Sequence, residues 1–315
     1  MKKRMFIMAC LAVLGIQVVK AQIAALALHH QGNVTMYNGS KINDALTAAA
    51  DGDTIYISSG ILATDITITK KLTFIGAGPE TIIRGTMSVA IPETPTLTNR
   101  LLQDLRVDGT ISIDQAINGM IISRCQFNNI NFNAATDASN IEKSVCWSNF
   151  TLSDKIAGLE VMTSKINEIH YDCATAENAH FINCNIKEFP NTSAEKQLAT
   201  YVNCIILKYN NKGGSYNTAT SYVNCLFAGS WSAWTGCANY SCWYNTALVF
   251  DNEMNASFSD ESDWANYKGT DNTVVGVTGT ANPFSLNPST PRVTSHTLSV
   301  NEAGTSLSVT LTVGN

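Results

Sequence analysis

Charge is what this chain has least of. Lys and Arg total 20 and Asp and Glu 25 among 315 residues, 14% together, for a formal net charge of −5. Beyond residue 21 arginine occurs only at Arg84, Arg100, Arg106, Arg124 and Arg292, and the whole chain has five histidines. Without a basic patch there is no footprint for nucleic acid, and without an acidic run there is no solvating tail. No apolar stretch after residue 21 approaches the roughly 18 residues a membrane span requires. Cysteine and histidine spacings match no zinc pattern, so neither a metal nor a cofactor is expected. Gly76-Ala77-Gly78 lacks the helix and lysine that would make it a phosphate loop.

What is present begins with a leader. Lys2, Lys3 and Arg4 precede an apolar run from Met5 to Val19, and Val19-Lys20-Ala21 stands before Gln22. Residues 1–21 therefore read as a cleaved secretory signal, which predicts a protein exported by a bacterium to the periplasm, cell surface or medium. The remaining 294 residues (315 minus 21) are long enough for one large domain.

One pattern dominates that remainder. It appears as Leu102-Gln-Asp-Leu105-Arg-Val107 and returns as Ile122-Ser-Arg-Cys125-Gln-Phe127 and Ile141-Glu-Lys-Ser144-Val-Cys146. It continues as Val161-Met-Thr-Ser164-Lys-Ile166, Phe181-Ile-Asn-Cys184-Asn-Ile186, Tyr201-Val-Asn-Cys204-Ile-Ile206 and Tyr222-Val-Asn-Cys225-Leu-Phe227. The fourth position falls at 105, 125, 144, 164, 184, 204 and 225, in steps of 20, 19, 20, 20, 20 and 21. A weaker copy ends at Asn239-Tyr-Ser-Cys242-Trp-Tyr244. A period of this length means a solenoid, whose repeats bury their apolar faces only by stacking.

Positions four and six are two apart and share a strand face; positions one and four differ in parity, so the chain must bend between them. The bend belongs at position three, where Asn183, Asn203 and Asn224 stand, because asparagine tolerates the left-handed backbone conformation. A second parity break precedes Ile130, Ile169, Phe189 and Tyr209. Each repeat is thus several short strands joined by tight corners. Polar residues mostly occupy position five.

Ahead of the repeats, Ser40 to Ala50 predicts a short capping helix with Ser40 as N-cap, Ile42, Ala45, Leu46 and Ala49 as its apolar face, and Asp51-Gly52 as its stop. Such a lid protects the open first rung. Thr273 to Val277 reads as a last strand, and Pro283, Pro288 and Pro291 mark a linker. Thr297–Val300 and Leu307–Val313 flank Asn301-Glu-Ala-Gly304 as a β-hairpin, expected to dock on the solenoid's side or end.

The run Ile42-Asn-Asp-Ala45, Asp51-Gly-Asp-Thr-Ile55, Ile66-Thr-Ile-Thr-Lys70 and Leu72-Thr-Phe-Ile-Gly76 resembles the first coils of right-handed parallel β-helix proteins, the pectin-lyase-like superfamily. The Phe-Ile-Asn-Cys and Tyr-Val-Asn-Cys windows are similar to its middle coils with their asparagine ladder. The resemblance covers about residues 40–285 and implies a fold, since the superfamily hosts lyases, hydrolases, esterases and adhesins alike. The galacturonan hydrolase segments Asn-Thr-Asp, Asp-Asp and Arg-Ile-Lys are missing from this sequence, as is the methylesterase Gly-x-x-Asp-Phe context.

Three constellations remain as candidate sites. Asp104, Arg106, Asp108 and Arg124 are the weak catalytic alternative, a lyase-like base beside carboxylates; Asp104 and Arg124 share a position on adjacent rungs, and the plain expectation is a surface ion pair. Glu168 stacks over Glu188 at about the carboxylate separation of retaining glycosidases, but with Lys187 and Lys208 beside them a charge-balanced edge is expected. The third, the carbohydrate-binding candidates, are Tyr209, Lys212, Tyr216, Trp231 and Trp234 in two successive long turns, where exposed rings suit stacking on sugars. Cys125, Cys184, Cys204, Cys225 and Cys242 share one inward position and Cys146 another, so buried free thiols are expected, with Cys237–Cys242 the one plausible local bridge.

The sequence thus predicts an all-β, right-handed parallel β-helix over residues 22–285, with a capping helix near 40–50 and a C-terminal linker and hairpin over 286–315. The leading function is exported, non-catalytic binding of polysaccharide. The alternatives are a polysaccharide lyase or glycoside hydrolase, and a structural or adhesive module that binds protein.

Overall fold

The computed structural model describes residues 23–288 and 292–314, apart from 94, 98–99, 154–155, 172–178, 190–198, 210–220, 229–237 and 301–306. Residues 1–21, expected to be a leader, therefore lie outside the described residues, as do 289–291, between the strap and the terminal hairpin.

The repeat closes into a parallel β-solenoid with coils of about 20 residues. Two twelve-stranded sheets run its length. The first carries position one of each window, with Ile122 beside Ile141, then Val161, Phe181, Tyr201 and Tyr222. The second carries positions five and six, with Phe127 beside Cys146, then Ile166, Ile186, Ile206 and Phe227.

Between the sheets every window turns at its third residue. Asp104, Arg124, Lys143, Thr163, Asn183, Asn203, Asn224 and Ser241 all adopt positive φ, from 48° to 54°. The asparagines ease a conformation that Arg124, Lys143 and Thr163 must hold without their help. At the second parity break the register slips between Val107 and Thr110, and again in the next two rungs. In the first of them Gly109 sits so close to the preceding rung that an added Cβ would meet the Gly85 carbonyl at 2.1 Å.

The inward positions stack like on like. Phe181, Tyr201 and Tyr222 lie ring on ring at 5.1 and 5.0 Å, tilted by 13° and 18°. Phe189 meets Tyr201 edge-on at 5.4 Å, and the Tyr201 hydroxyl pairs with that of Tyr171. Beside them runs the column expected to hold thiols. Cys125, Cys184, Cys204 and Cys225 in this column, and Cys146 at another inward position, are buried free cysteines. Cys184 and Cys204 donate to the Ile182 and Phe181 carbonyls at 3.3 and 3.2 Å. Where serine replaces cysteine the column becomes a polar ladder: the Ser144 amide donates to Ser164 Oγ at 3.1 Å, and the Cys125 amide to Ser144 Oγ at 3.2 Å. Of the suggested Cys237–Cys242 bridge, Cys237 lies outside the described residues; Cys242 Sγ accepts from the Cys225 amide at 3.4 Å.

Burial pushes the thiol pKa of Cys125 and Cys146 up to about 12, and those of Cys184, Cys204 and Cys225 well above the ordinary value. A group with a raised folded pKa contributes stability that is complete below its unfolded value and is lost as pH climbs through the folded one. The lost stability should appear as pH climbs from about 9 toward 12. Lys165, whose ammonium is pushed below the usual lysine range by burial, works in the opposite sense but is outnumbered. Urea midpoints measured across this window should fall steeply, and less steeply in Cys125→Ala. A flat profile would contradict the inward thiol column.

The first rung is capped more heavily than the sequence indicates. Besides the helix, an antiparallel hairpin of β1 (Ala25–His30) and β2 (Asn33–Asn38) extends the first sheet beyond β3 (Thr54–Ile57), seating Leu26 and Leu28 on the core. The helix α1 (Ile42–Ala48) buries Ile42 and Ala45 as expected. Its N-cap is not Ser40. A 3-10 turn over Gly39–Lys41 precedes it, and Asn38 caps that turn by accepting from the Ser40 amide at 3.1 Å. The helix also stops at Ala48, three residues ahead of Asp51-Gly52.

The larger correction concerns residues 245–288. Thr273 to Val277 forms no strand of either sheet. The chain instead folds back along the outside of the second sheet as a strap. Position five, expected to be polar and solvated, is covered there: Lys165, Asn185, Ile205 and Leu226 are buried. Ile205 and Leu226 join Leu248, Phe258 and Val275 in a second apolar cluster, with Trp243, Trp264 and Tyr267 packed against it. Asn203 accepts from the Thr270 amide at 3.0 Å, and Asn185 donates to the Met254 carbonyl at 2.9 Å. Lys165 reaches Asn255 at 2.6 Å and lies over the Phe284 ring. Lys143 pairs with Asn282, and Pro288 packs on Gly78. Past the strap, Arg292–Val300 and Leu307–Gly314 form the expected antiparallel hairpin as a separate two-stranded sheet.

Candidate functional site

The corner at Asp104 and Arg124 is a closed ion pair. Arg124 Nε donates to Asp104 Oδ1 at 2.6 Å, and Gln103 Nε2 donates to Oδ2 at 2.7 Å. Asp104 is fully buried and Arg124 is 12% exposed, so the expectation of a surface pair is corrected: this is an interior one. Both carboxylate oxygens are engaged, which leaves Asp104 poorly placed to take a proton from a substrate. Arg106 and Asp108 form their own pair on the neighbouring strand at 2.5 Å. Adjacent polar groups extend the network: Arg100 donates to Gln103 at 3.0 Å, and Ser123 to Glu142 at 2.8 Å. The four residues of the weak catalytic alternative thus form two separate ion pairs.

Glu168 and Glu188 are register neighbours, as the repeat predicts, and Glu188 is followed by Lys208. His170 Nε2 lies 3.1 Å from Glu168 Oε2. The two carboxylates therefore neighbour each other with His170 beside Glu168, while of Lys208 only the backbone register is described.

Of the carbohydrate-binding candidates, Lys212, Tyr216, Trp231 and Trp234 lie outside the described residues. Tyr209 ends a strand, in register with Phe189, but its side chain is not among those described.

The outer face of the first sheet carries a site that the sequence reading missed. Strands Ser139–Glu142, Leu159–Met162 and Ala179–Ile182 lie side by side. Their alternation turns Ser139, Ile141, Leu159, Val161, Ala179 and Phe181 inward. It leaves one outer row of Asn140, Glu160 and His180, and a second of Glu142, Met162 and Ile182. Beside the first row Ala138, Ala157 and Gly158 are small, and the surface sinks into an open groove of about 510 Å³. Beyond the second row a cleft of about 250 Å³ separates the corner residues Lys143, Thr163 and Asn183 from the strap residues Asp271, Thr280, Ala281 and Asn282. Asn183 lines this cleft, but its Oδ1 is turned away from solvent and has no hydrogen-bond partner among the described residues. The available signal was the alternation itself: a strand whose inner row is strictly apolar must present its other residues outward, in a column across rungs.

No known family model matches the chain, and no curated protein or solved structure matches it either. The parallel β-solenoid therefore stands on the coil geometry, and function has to be argued from the surface.

Proposed function

We propose that the chain is an exported, non-catalytic protein that binds carbohydrate along its coil at the bacterial surface or in the periplasm. The leader supports export. The observation that carries binding is the outer row Asn140, Glu160 and His180, set one per rung beside the small-residue groove. Parallel strands repeat at about 4.8 Å, a spacing comparable with one sugar unit, so amide, carboxylate and imidazole meet successive hydroxyls of an extended glycan. The engaged state of Asp104 favours binding over lyase chemistry at that corner. Lys212, Tyr216, Trp231 and Trp234 remain proposed stacking and polar contacts in the late turns, with Tyr209 at their base.

A glycan array with the full chain, scoring both retention and release of shorter products, tests this. Wild type should be retained without products. Glu160→Ala/His180→Ala should weaken retention if the groove carries the contact, and Trp231→Ala/Trp234→Ala if the late turns do. Product release would favour the hydrolase or lyase reading instead. Folded protein with no retention would favour the structural module that binds protein, a reading also served by β2 at the edge of the first sheet, where Val34 and Met36 stand exposed among the described residues.

A further inference from the structure

We infer that β2 is a self-association edge, which pairs antiparallel with β2 of a second copy of this chain and joins two coils head to head. The inference makes no use of the carbohydrate reading.

The first sheet ends in β2, and among the described residues nothing pairs with its outer side. The turn ahead of it decides which backbone groups face that way. Gln31 and Gly32 hold φ of 48° and 82° and link His30 to Asn33 as a two-residue hairpin. In such a hairpin the flanking residues close a hydrogen-bonded pair, and bonded pairs then alternate along the strands. His30–Asn33, Leu28–Thr35 and Leu26–Tyr37 are thus the bonded pairs. The N–H and C=O groups of Val34 and Met36 point the other way, to the open edge.

Those two residues lie symmetrically about Thr35. A two-fold axis there sets Thr35 opposite its own image, and Val34 of each copy opposite Met36 of the other. Each Val34–Met36 pair then exchanges both of its ladder bonds. The side chains agree with that register. Val34 and Met36 stand on the outer face, 54% and 66% exposed, beside His29 and Ala27 of β1. Tyr56 of β3 extends the row, with the His29 ring 4.6 Å from its own. Across the axis, the row Tyr56, Ala27, Met36 of one copy meets Val34 of the other, so exposed apolar side chains cover one another.

What usually protects an edge is missing from this one. Lysine, proline or a bulge commonly blocks such pairing. The strand Asn33-Val-Thr-Met-Tyr-Asn38 carries no charge and no proline, and its register on β1 runs unbroken. The lack of charge favours a second copy in particular, because a charge near the axis would face its own image. The next charged residues along the chain, Lys41 and Asp44, already pair with each other at 3.3 Å.

The test is sedimentation of the full chain, with cysteine cross-linking to read the register. Wild type should be dimeric at about 100 μM. Val34→Lys/Met36→Lys, at two exposed sites, should weaken the dimer at least about tenfold and leave the thermal midpoint within a few degrees. The Thr35 Cα atoms should lie about 4.5 Å apart across the axis, within disulfide reach, so Thr35→Cys should form a covalent dimer with an added oxidant. Val34→Cys should not, because the two copies of residue 34 sit diagonally, beyond the roughly 7 Å limit. A monomeric wild type at that concentration would overturn the inference. So would a dimer that the lysines leave intact, which would put the contact elsewhere, such as the terminal hairpin. Cross-linking of Val34→Cys in preference to Thr35→Cys would overturn the two-fold register. Growth past the dimer would overturn it as well, in favour of head-to-tail pairing with the opposite edge, Ala238–Tyr240.

Discussion

Tyr201→Ala is expected to lower the stability of the chain by at least about 3–5 kcal/mol. Tyr201 is fully buried and stacked between Phe181 and Tyr222, with Phe189 at its edge. Truncation removes a ring from the middle of a column whose neighbours are held by their own rungs and cannot move in to fill the space. It also strips the Tyr171 hydroxyl, buried in the same core, of the Tyr201 hydroxyl, which adds the cost of a polar group left short of a partner. Tyr201→Phe separates the two effects, since it keeps the stack and loses only the hydroxyl; its cost should be about 1–2 kcal/mol. Equilibrium urea denaturation of the three proteins checks the order. Tyr201→Ala within 1 kcal/mol of wild type would mean that the aromatic column is not packed as described.

Arg124→Ala should cost a comparable amount, about 3–5 kcal/mol, because it leaves the fully buried Asp104 carboxylate without its cation. Asp104→Ala should cost less, since Arg124 keeps some exposure and can reach water along its stem. The informative variant is the pair Asp104→Asn/Arg124→Gln. Asparagine suits the positive φ of residue 104, the desolvated charges are gone, and Gln103 still has an oxygen to meet. Its loss should be smaller than that of Arg124→Ala alone, as expected when a buried pair is removed together rather than halved. If the double variant is the least stable of the three, charge pairing is not what holds this corner.

How far the fold can be read from the chain follows from which residues repeat. Leu105 through Cys225 return every twenty residues, and a rung stacked on its like needs nothing beyond that rule. Asn183, Asn203 and Asn224 announced the left-handed corners because the backbone conformation selects the residue type. Arg124, Lys143 and Thr163 occupy the same corner without announcing it, and only the period places them there. The strap was not legible. Thr273 to Val277 has a strand's composition, and composition cannot tell a segment that pairs from one that presses its valines on the outside of a coil. A signal was nevertheless present at position five, where Val145, Ile205, Leu226 and Trp243 interrupt a row that solvent should have kept polar. The β1–β2 hairpin went unread because it lies ahead of the first coil, with no periodic partner to set its register. As for the site, the Asp104–Arg124 contact followed from the period, but its burial depended on neighbours from other rungs. The cleft needed two segments far apart in sequence to be brought together.

That strap has a consequence for how the chain comes together over time. Contacts between rungs join residues about twenty apart, so a growing coil can zip up in the order it is made, each turn templating the next. The strap's bonds span 67 residues from Asn203 to Thr270, 92 from Asn185 to Val277 and 139 from Lys143 to Asn282. Each closes a far longer loop than a contact between rungs, and the strap runs back over the coil like a clasp drawn over a finished spring. Until the clasp shuts, Ile205 and Leu226 face water and every rung is free to peel. Once it shuts, fraying at one end has to break links several turns away. A stack that would otherwise melt turn by turn is thereby made to open as a single event, at a threshold set by the strap of residues 245–288.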